Sequence, residues 1–316
     1  MAGRPLTSGG DAGRVGHCDG DRRGACLREA WALDPNITFL NHGSFGACPK
    51  AVLAVQSELR QRLEADPVRF FTREFEPLLD QARAALAGFI GISPADVVFV
   101  PNATTGVSTV LRSLRLAPGD ELVVTNHAYR ACRNAVSFVA DMAGAFVVEA
   151  KIGFPAESDT VIDAILEATG PRTRLVLLDQ VTSPTALIFP VATLVEELES
   201  RGILVLVDAA HAPGMVPLSL DQIGASFTTG NLHKWVCAPK GAGFLHVRGD
   251  RQDMVRPLVI SHGFSAIRPD KPRFHREFDW VGTIDPTPYL CVPSVLGFMA
   301  ALHPDGWPGL MRSNMP

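Results

Sequence analysis

From about residue 95 onward, short runs rich in β-branched and apolar residues alternate with longer segments of helical periodicity, a pattern that few folds accept. The runs are VVFV (97–100), ELVVT (121–125), AFVVEA (145–150), RLVLLD (174–179), ILVLVD (203–208) and GAGFLHV (241–247). Between them lie TTGVSTVLRSL, AYRACRNAVSFVADM, TVIDAILEAT and VATLVEELESR, each with apolar residues at helical spacing. RLVLLD and ILVLVD are almost continuously apolar, as expected of central parallel strands covered on both faces. Strands alternating with helices predict an α/β fold, a mostly parallel sheet flanked by helices. Upstream, residues 49–65 and 74–91 read as two further helices, and FLNHGSFG (39–46) as an extended segment entering a glycine turn. No repeat or low-complexity segment interrupts the series.

With 47% hydrophobic residues, the 316-residue chain can build one large core, or one domain and part of another. A net charge of −4 argues against a nucleic-acid or anionic-membrane surface. Cys18, Cys26, Cys48, Cys132, Cys237 and Cys291 are scattered, with neither a CxxC pair nor metal-like pairing with histidine. They read as reduced thiols in a cytoplasmic protein, and no metal is expected. No apolar stretch approaches the ~20 residues needed to cross a bilayer. The opening MAGRPLTSGGDAGRVGHCDGDRRG lacks the apolar middle of a signal peptide, so residues 1–27 are expected to form a disordered leader.

In sheets of this kind the ligand lies beyond the carboxyl ends of the strands. The segments there are NATTG, TNHAYR, DQVTSPT and DAAHAPG. Asp208 closes ILVLVD; buried there, its carboxylate needs a cation or hydrogen-bond donors, though an aspartate can also simply cap the next segment. His211 follows three residues later and could equally complete a turn. Lys234 stands between two apolar runs in FTTGNLHKWVCAPKGAGFLHV, and either reaches solvent or is held there for chemistry. NATTG ends a strand and opens a helix, so its N–H groups favour an anion; Asn102 is a natural N-cap, and Thr104 and Thr105 add hydroxyls. It lacks the GK[ST] of a Walker loop. No GxGxxG follows an early strand, which sets aside a nicotinamide-dependent dehydrogenase.

VDAAHAPG followed by the HK pair of NLHK, 25 to 26 residues after Asp208, resembles the class V aminotransferase family of fold-type I pyridoxal-phosphate (PLP) enzymes. FLNHGSFGACP and DQVTSPTALIFPV look most like its isopenicillin N epimerase branch, and the likeness runs from about residue 39 to 290. The resemblance implies a PLP-binding large domain with its N-terminal segment over 28–285. It also implies that 286–316 begin a C-terminal small domain that is incomplete here. The implied cofactor is pyridoxal 5′-phosphate, joined to Lys234 as a Schiff base, with the lysine later moving a proton at the substrate α-carbon. Asp208 would face the pyridine nitrogen, and His211 the phenolic oxygen. Tyr129 would stack on the ring, with His127 as its rival, and Gln180 is a candidate for the cofactor face. Thr104, Thr105, Asn231 and His233 would cup the phosphate. Thr283 resembles the threonine that reaches a neighbouring subunit's phosphate, which implies a homodimer with a shared active site. Asn41, His42 and Ser183 resemble groups near the substrate carboxylate; the turn NHGSFG alone could also be a matter of glycine geometry.

The expected function is a PLP enzyme acting on an amino acid or amino-acid-derived substrate. Epimerisation at the α-carbon comes first; carbon–sulfur lyase or cysteine desulfurase chemistry is second and transamination third. The fold cannot choose among them. A desulfurase needs a mobile nucleophilic cysteine, and none of the six is marked as one. The arginine that clamps substrate carboxylate in relatives belongs to the C-terminal domain, and Arg268, Arg273 and Arg276 do not map onto it. The rival from another class is a catalytically inactive, truncated remnant that keeps the fold.

Overall fold

The computed structural model describes residues 27–314. The segment read as a leader lies outside the described residues except for Leu27. A seven-stranded sheet runs in the order β1-β7-β6-β5-β4-β2-β3. The strands are β1 (Val97–Val100), β2 (Glu121–Thr125), β3 (Phe146–Ala150), β4 (Thr173–Asp179), β5 (Leu204–Asp208), β6 (Phe227–Asn231) and β7 (Gly243–Val247). The pairs β2–β3, β2–β4, β4–β5 and β5–β6 are parallel. β7 is antiparallel to both of its neighbours, β1 and β6. The fold is therefore α/β with a mostly parallel sheet flanked by helices.

All six apolar runs are strands; β6 is a seventh that its composition hides. FTTGN looks like a loop because threonine and glycine replace the usual apolar residues, yet Thr228 and Thr229 are buried. The Thr229 hydroxyl donates to the Phe244 carbonyl at 2.7 Å, which satisfies it inside the core. Glycine is required beside it. A Cβ on Gly106, in the helix Ala103–Ser113, would sit 2.0 Å from Thr229 Oγ1. Gly106→Ala is accordingly expected to cost about 1–3 kcal/mol by overpacking, read as a lowered urea midpoint at unchanged slope.

The helices fall where their periodicity places them: Lys50–Ala65, Phe75–Ile90, Ala103–Ser113, Arg130–Ala143, Ser158–Glu167 and Val191–Ser200. FLNHGSFG differs from its expected extended form. Residues His42–Phe45 make one helical turn, because the Asn41 side chain accepts the Ser44 N–H at 3.0 Å and caps it.

Side chains of the central strands alternate between two cores. Leu175, Leu177 and Leu206 face the helices Ala103–Ser113 and Arg130–Ala143, packing with Val107, Val110, Cys132 and Val136. Val176, Leu178, Val205 and Val207 face the other side, against Leu194 and Leu198. A third cluster joins the helices Lys50–Ala65 and Phe75–Ile90 to Val292, Val295 and Leu296 of the helix Val292–Ala300. Full burial of each such aliphatic side chain contributes about 1.5–3 kcal/mol, so the strand ends are held on a stiff frame. No helix among the described residues is long and apolar enough to cross a membrane.

Candidate active site

The parallel strands β4 and β5 deliver their last residues to one edge of the sheet, and the loops after β1, β2 and β6 converge on the same edge. Asp208, the last residue of β5, is 3% exposed. Its Oδ1 accepts the Ala210 N–H at 2.9 Å and its Oδ2 the Cys132 thiol at 3.2 Å. Burial raises its pKa, while Ala210, Cys132 and the charge of Lys234 pull in the other direction.

Lys234 sits in the turn after β6. Leu232 N–H donates to Ala242 O at 3.0 Å, Ala238 N–H to Leu232 O at 3.0 Å, and Cys237 N–H to Lys234 O at 3.1 Å. Cys237 holds a left-handed φ of 63°, a conformation non-glycine residues adopt at a cost. This tight turn fixes the lysine backbone and leaves its side chain half-buried. Lys234 Nζ lies 2.9 Å from His211 Nε2, and burial lowers its pKa although Asp208 opposes the shift. The same burial, reinforced by the lysine, brings His211 down to about 4. Its imidazole is thus neutral at pH 7. The Trp235 indole N–H donates to His211 Nδ1 at 3.4 Å. A neutral ring that accepts on Nδ1 carries its proton on Nε2, aimed at Nζ. That arrangement favours the unprotonated, nucleophilic amine.

His246, buried in β7, is also held at about 4, by burial first and then by Arg248. Both imidazoles contribute stability that is present above the unfolded value near 6.5 and lost as pH falls through the folded value. In an NMR titration the ring resonances of His211 and His246 are expected to stay neutral-like to pH 5; a midpoint near 6.5 would overturn the burial argument.

At the next edge position, Asn102 Oδ1 accepts the Thr105 N–H at 2.8 Å and the Thr105 hydroxyl at 3.1 Å. Asn231 Oδ1 accepts the Ala103 N–H at 2.8 Å. Asn231 therefore braces the helix start, with Thr105 turned back onto its cap. Among the described residues no acceptor meets the Thr104 N–H, and the Thr104 side chain is partly exposed. An amide without an acceptor at a helix start, beside a hydroxyl, fits a phosphate. His233 turns Nδ1 to the Ala242 carbonyl at 2.9 Å.

Tyr129, 47% exposed, stands at the N-cap position of the helix Arg130–Ala143 without a side-chain cap bond. His127 is buried with both ring nitrogens in use: Nδ1 is 2.9 Å from the Thr185 hydroxyl and Nε2 is 3.0 Å from the Ile152 carbonyl. It fastens the DQVTSPT loop. Ser183 is exposed at the tip of that loop, and Gln180 is buried with Oε1 lacking a partner. Asn41 Nδ2 donates to the Ser44 hydroxyl at 2.7 Å. His42 Nδ1 lies 3.4 Å from Cys237 Sγ. Gly43 packs on the Trp235 and His211 rings, and Gly46 on the His233 and Lys234 backbone, which brings the 41–46 turn onto the lysine loop. Thr283 is exposed, and no hydrogen bond links it to Lys234, Asp208 or His211.

Three residues of the site were not singled out from the sequence. Trp235 and Cys132 act through His211 and Asp208, contacts that only the fold creates. Asp179 had a signal: RLVLLD and ILVLVD both end on aspartate, and parallel pairing in register sets Asp179 beside Asp208. Asp179 is 3% exposed and its Oδ2 has no partner.

A buried carboxylate, a depressed lysine and an unmet amide with a hydroxyl, on one sheet edge, match the three poles of pyridoxal phosphate: ring nitrogen, aldehyde and phosphate. The thiols of Cys48, Cys237 and Cys291 are pushed up to about 12 by burial, so they are not thiolates at neutral pH. Cys18 and Cys26 lie outside the described residues. Among the described residues, no cluster of three or more histidine, cysteine or carboxylate side chains could hold a metal ion.

The family profile Aminotransferase class-V matches residues 40–271. The chain is 37% identical over 297 residues to isopenicillin N epimerase of Amycolatopsis lactamdurans, covering 88% of this chain and 73% of that protein. It is 35% identical over 301 residues to a probable chloroplastic L-cysteine desulfhydrase of Arabidopsis thaliana, covering 89% and 62%. A solved structure of a C-DES mutant, with glycine covalently linked to its PLP cofactor, superposes with a TM-score of 0.78 at 22% identity, covering 85% of this chain and 73% of that one.

Proposed function

The chain belongs to the aminotransferase class-V family, and from that premise we propose that it is a pyridoxal-phosphate enzyme that epimerises the α-carbon of an amino acid or amino-acid-derived substrate. Pyridoxal 5′-phosphate is its cofactor and, bound through Lys234, supplies an electron sink that acidifies the substrate α-C–H bond. The observation that carries the cofactor chemistry is the 2.9 Å contact between the depressed Lys234 amine and neutral His211, beside buried Asp208. The likeness to isopenicillin N epimerase favours epimerisation among the reactions that share it.

In this reading Lys234 Nζ is first the nucleophile that holds the cofactor and then the base that takes the α-proton. His211 orients the amine and stands near the phenolic oxygen. Asp208 pairs with the ring nitrogen; Tyr129 covers the ring. Thr104 and His233 face the phosphate, while Thr105 is turned onto the Asn102 cap and Asn231 braces the helix start. Asn41, His42 and Ser183 meet the substrate carboxylate. Epimerisation also needs an acid on the opposite face of the α-carbon. Thr283 is assigned to a partner's phosphate in a homodimer, the large domain to 28–285 with a small domain starting at 286, and the cytoplasm as the location.

Carbon–sulfur bond cleavage is the second reading, favoured by the desulfhydrase likeness; it starts from the same proton removal. Of its forms, a persulfide-forming desulfurase is disfavoured by the buried, protonated thiols of Cys48, Cys237 and Cys291. Transamination is third.

The test begins with the full chain purified with pyridoxal phosphate, reduced with borohydride and mapped by peptide mass. An adduct on Lys234 is expected. Folded protein without an adduct would instead favour an inactive remnant. Amino acids are then incubated with the enzyme in heavy water. Inverted product carrying α-deuterium supports epimerisation. Sulfide and a keto acid from cysteine, or a keto acid made only with an acceptor present, would replace it by lysis or transamination.

A further inference from the structure

Two carboxyls occupy the sheet edge where the proposed chemistry uses one. Asp179 and Asp208 are register partners at the ends of β4 and β5. Neighbouring parallel strands lie about 4.8 Å apart. Counted along each strand, both aspartates continue the rows Leu175–Leu177 and Leu206, so they share one face. Each is 3% exposed. Two negative charges this close, out of water, are not sustained together.

The donors are unequally divided. Asp208 receives the Ala210 N–H on one oxygen, the Cys132 thiol on the other, and the nearby charge of Lys234. Asp179 has the backbone N–H groups of Tyr129 and of itself beside it, and its Oδ2 has no partner. The other elements packed on this face bring no compensating cation. β2 presents Leu122 and Val124, and the helix Ala103–Ser113 presents Val107, Val110 and Leu111. From the helix Arg130–Ala143 comes Cys132, whose thiol is held protonated by burial and by Asp208.

We propose that Asp179 is a neutral carboxyl in the working site, a positioning residue whose proton on Oδ2 leaves Asp208 as the sole anion facing the cofactor's ring nitrogen. The inference rests on the proposed cofactor site for its purpose, but the proton itself belongs to this chain and can be observed with or without cofactor. Burial and the charge of Asp208 both push the Asp179 carboxyl well above the usual carboxylate range, in the same direction as the donor count. The proton does not leave during the reaction. It sets the charge of the pocket at one rather than two, so the ring nitrogen is held by an anion that is not shared with a second.

The experiment is infrared difference spectroscopy of the full chain, with and without pyridoxal phosphate, following the carbonyl stretch of protonated carboxylic acid from pH 5 to 9. One such band is expected at pH 7, abolished in Asp179→Asn. In Asp208→Asn it should persist only to a pH at least one unit lower, a tenfold or greater loss of proton affinity. No band at pH 7 would overturn the proposal. So would a band removed by Asp208→Asn and kept in Asp179→Asn, which would place the proton on the other carboxyl. A midpoint unmoved by Asp208→Asn would also overturn it, because burial alone would then hold the proton. Should either variant fail to fold, carbon NMR of wild-type protein labelled at the aspartate carboxyl carbons reads the same two titrations. Failure to form the Lys234 adduct would sink the proposed function while leaving this band in place, so the two failures are distinguishable.

Discussion

Lys234→Ala is expected to lower turnover by roughly 10³-fold or more once a substrate is in hand, because one side chain supplies two separate steps. In the proposed function the amine that anchors the cofactor is also the group that moves the α-proton. Burial lowers its pKa, which makes the free amine easier to reach, and its contact with His211 aims it. The fold should tolerate the change, since burying an amine costs stability and alanine relieves that cost. The thermal midpoint is therefore expected within a few degrees of wild type. A small primary amine added to the variant should recover part of the activity in proportion to its concentration. Full activity in Lys234→Ala, or loss traced entirely to unfolding, would remove the lysine from the mechanism.

Asp208→Asn is expected to cost about 10²–10³ in kcat with a far smaller effect on stability. An amide keeps the shape but cannot hold a pyridinium proton, so the ring loses its pull on the α-carbon electrons. The stability side follows from the direction of the pKa. A carboxyl raised by burial makes the folded state less stable as pH rises above the unfolded value near 3.9, and asparagine lifts that penalty at pH 7. The Ala210 N–H still finds an oxygen, while Cys132 meets either oxygen or amide. Melting and steady-state kinetics on one preparation separate these effects. A variant that melts far lower and keeps its kcat would make Asp208 a structural residue.

Much of this arrangement could be read from the sequence because each signal was local. RLVLLD and ILVLVD announced central strands through uninterrupted apolar runs, and the segments after the strands marked the edge where the candidate site residues gather. β6 escaped because Thr228 and Thr229 look polar until the Phe244 carbonyl is seen to take the Thr229 hydroxyl. Asp179 escaped for a different reason. Its importance lies in the register that seats it against Asp208, and register is a property of two strands together. Likewise, nothing near Cys132 in the chain points to a carboxylate; helix Arg130–Ala143 carries it there. The short helix at His42–Phe45 turned on one side-chain cap, which outweighed the extended look of its flanks.

The antiparallel strand β7 bears on the order in which the chain can assemble. β1 has a neighbour on one side only, and that neighbour is β7: Val97 faces His246 across about 150 residues of intervening chain. On a ribosome, β2 to β5 can pair as they emerge, while β1 must wait with its edge uncovered until residue 247 has left the tunnel. The helix start at Ala103–Thr105 hangs from β1, and its brace, Asn231, ends the strand that pairs with β7. The helix start at Ala103–Thr105 is thus fixed in the sheet only after β7 has formed. Chains halted before β7 would carry β1 and β6 without the strand that joins them.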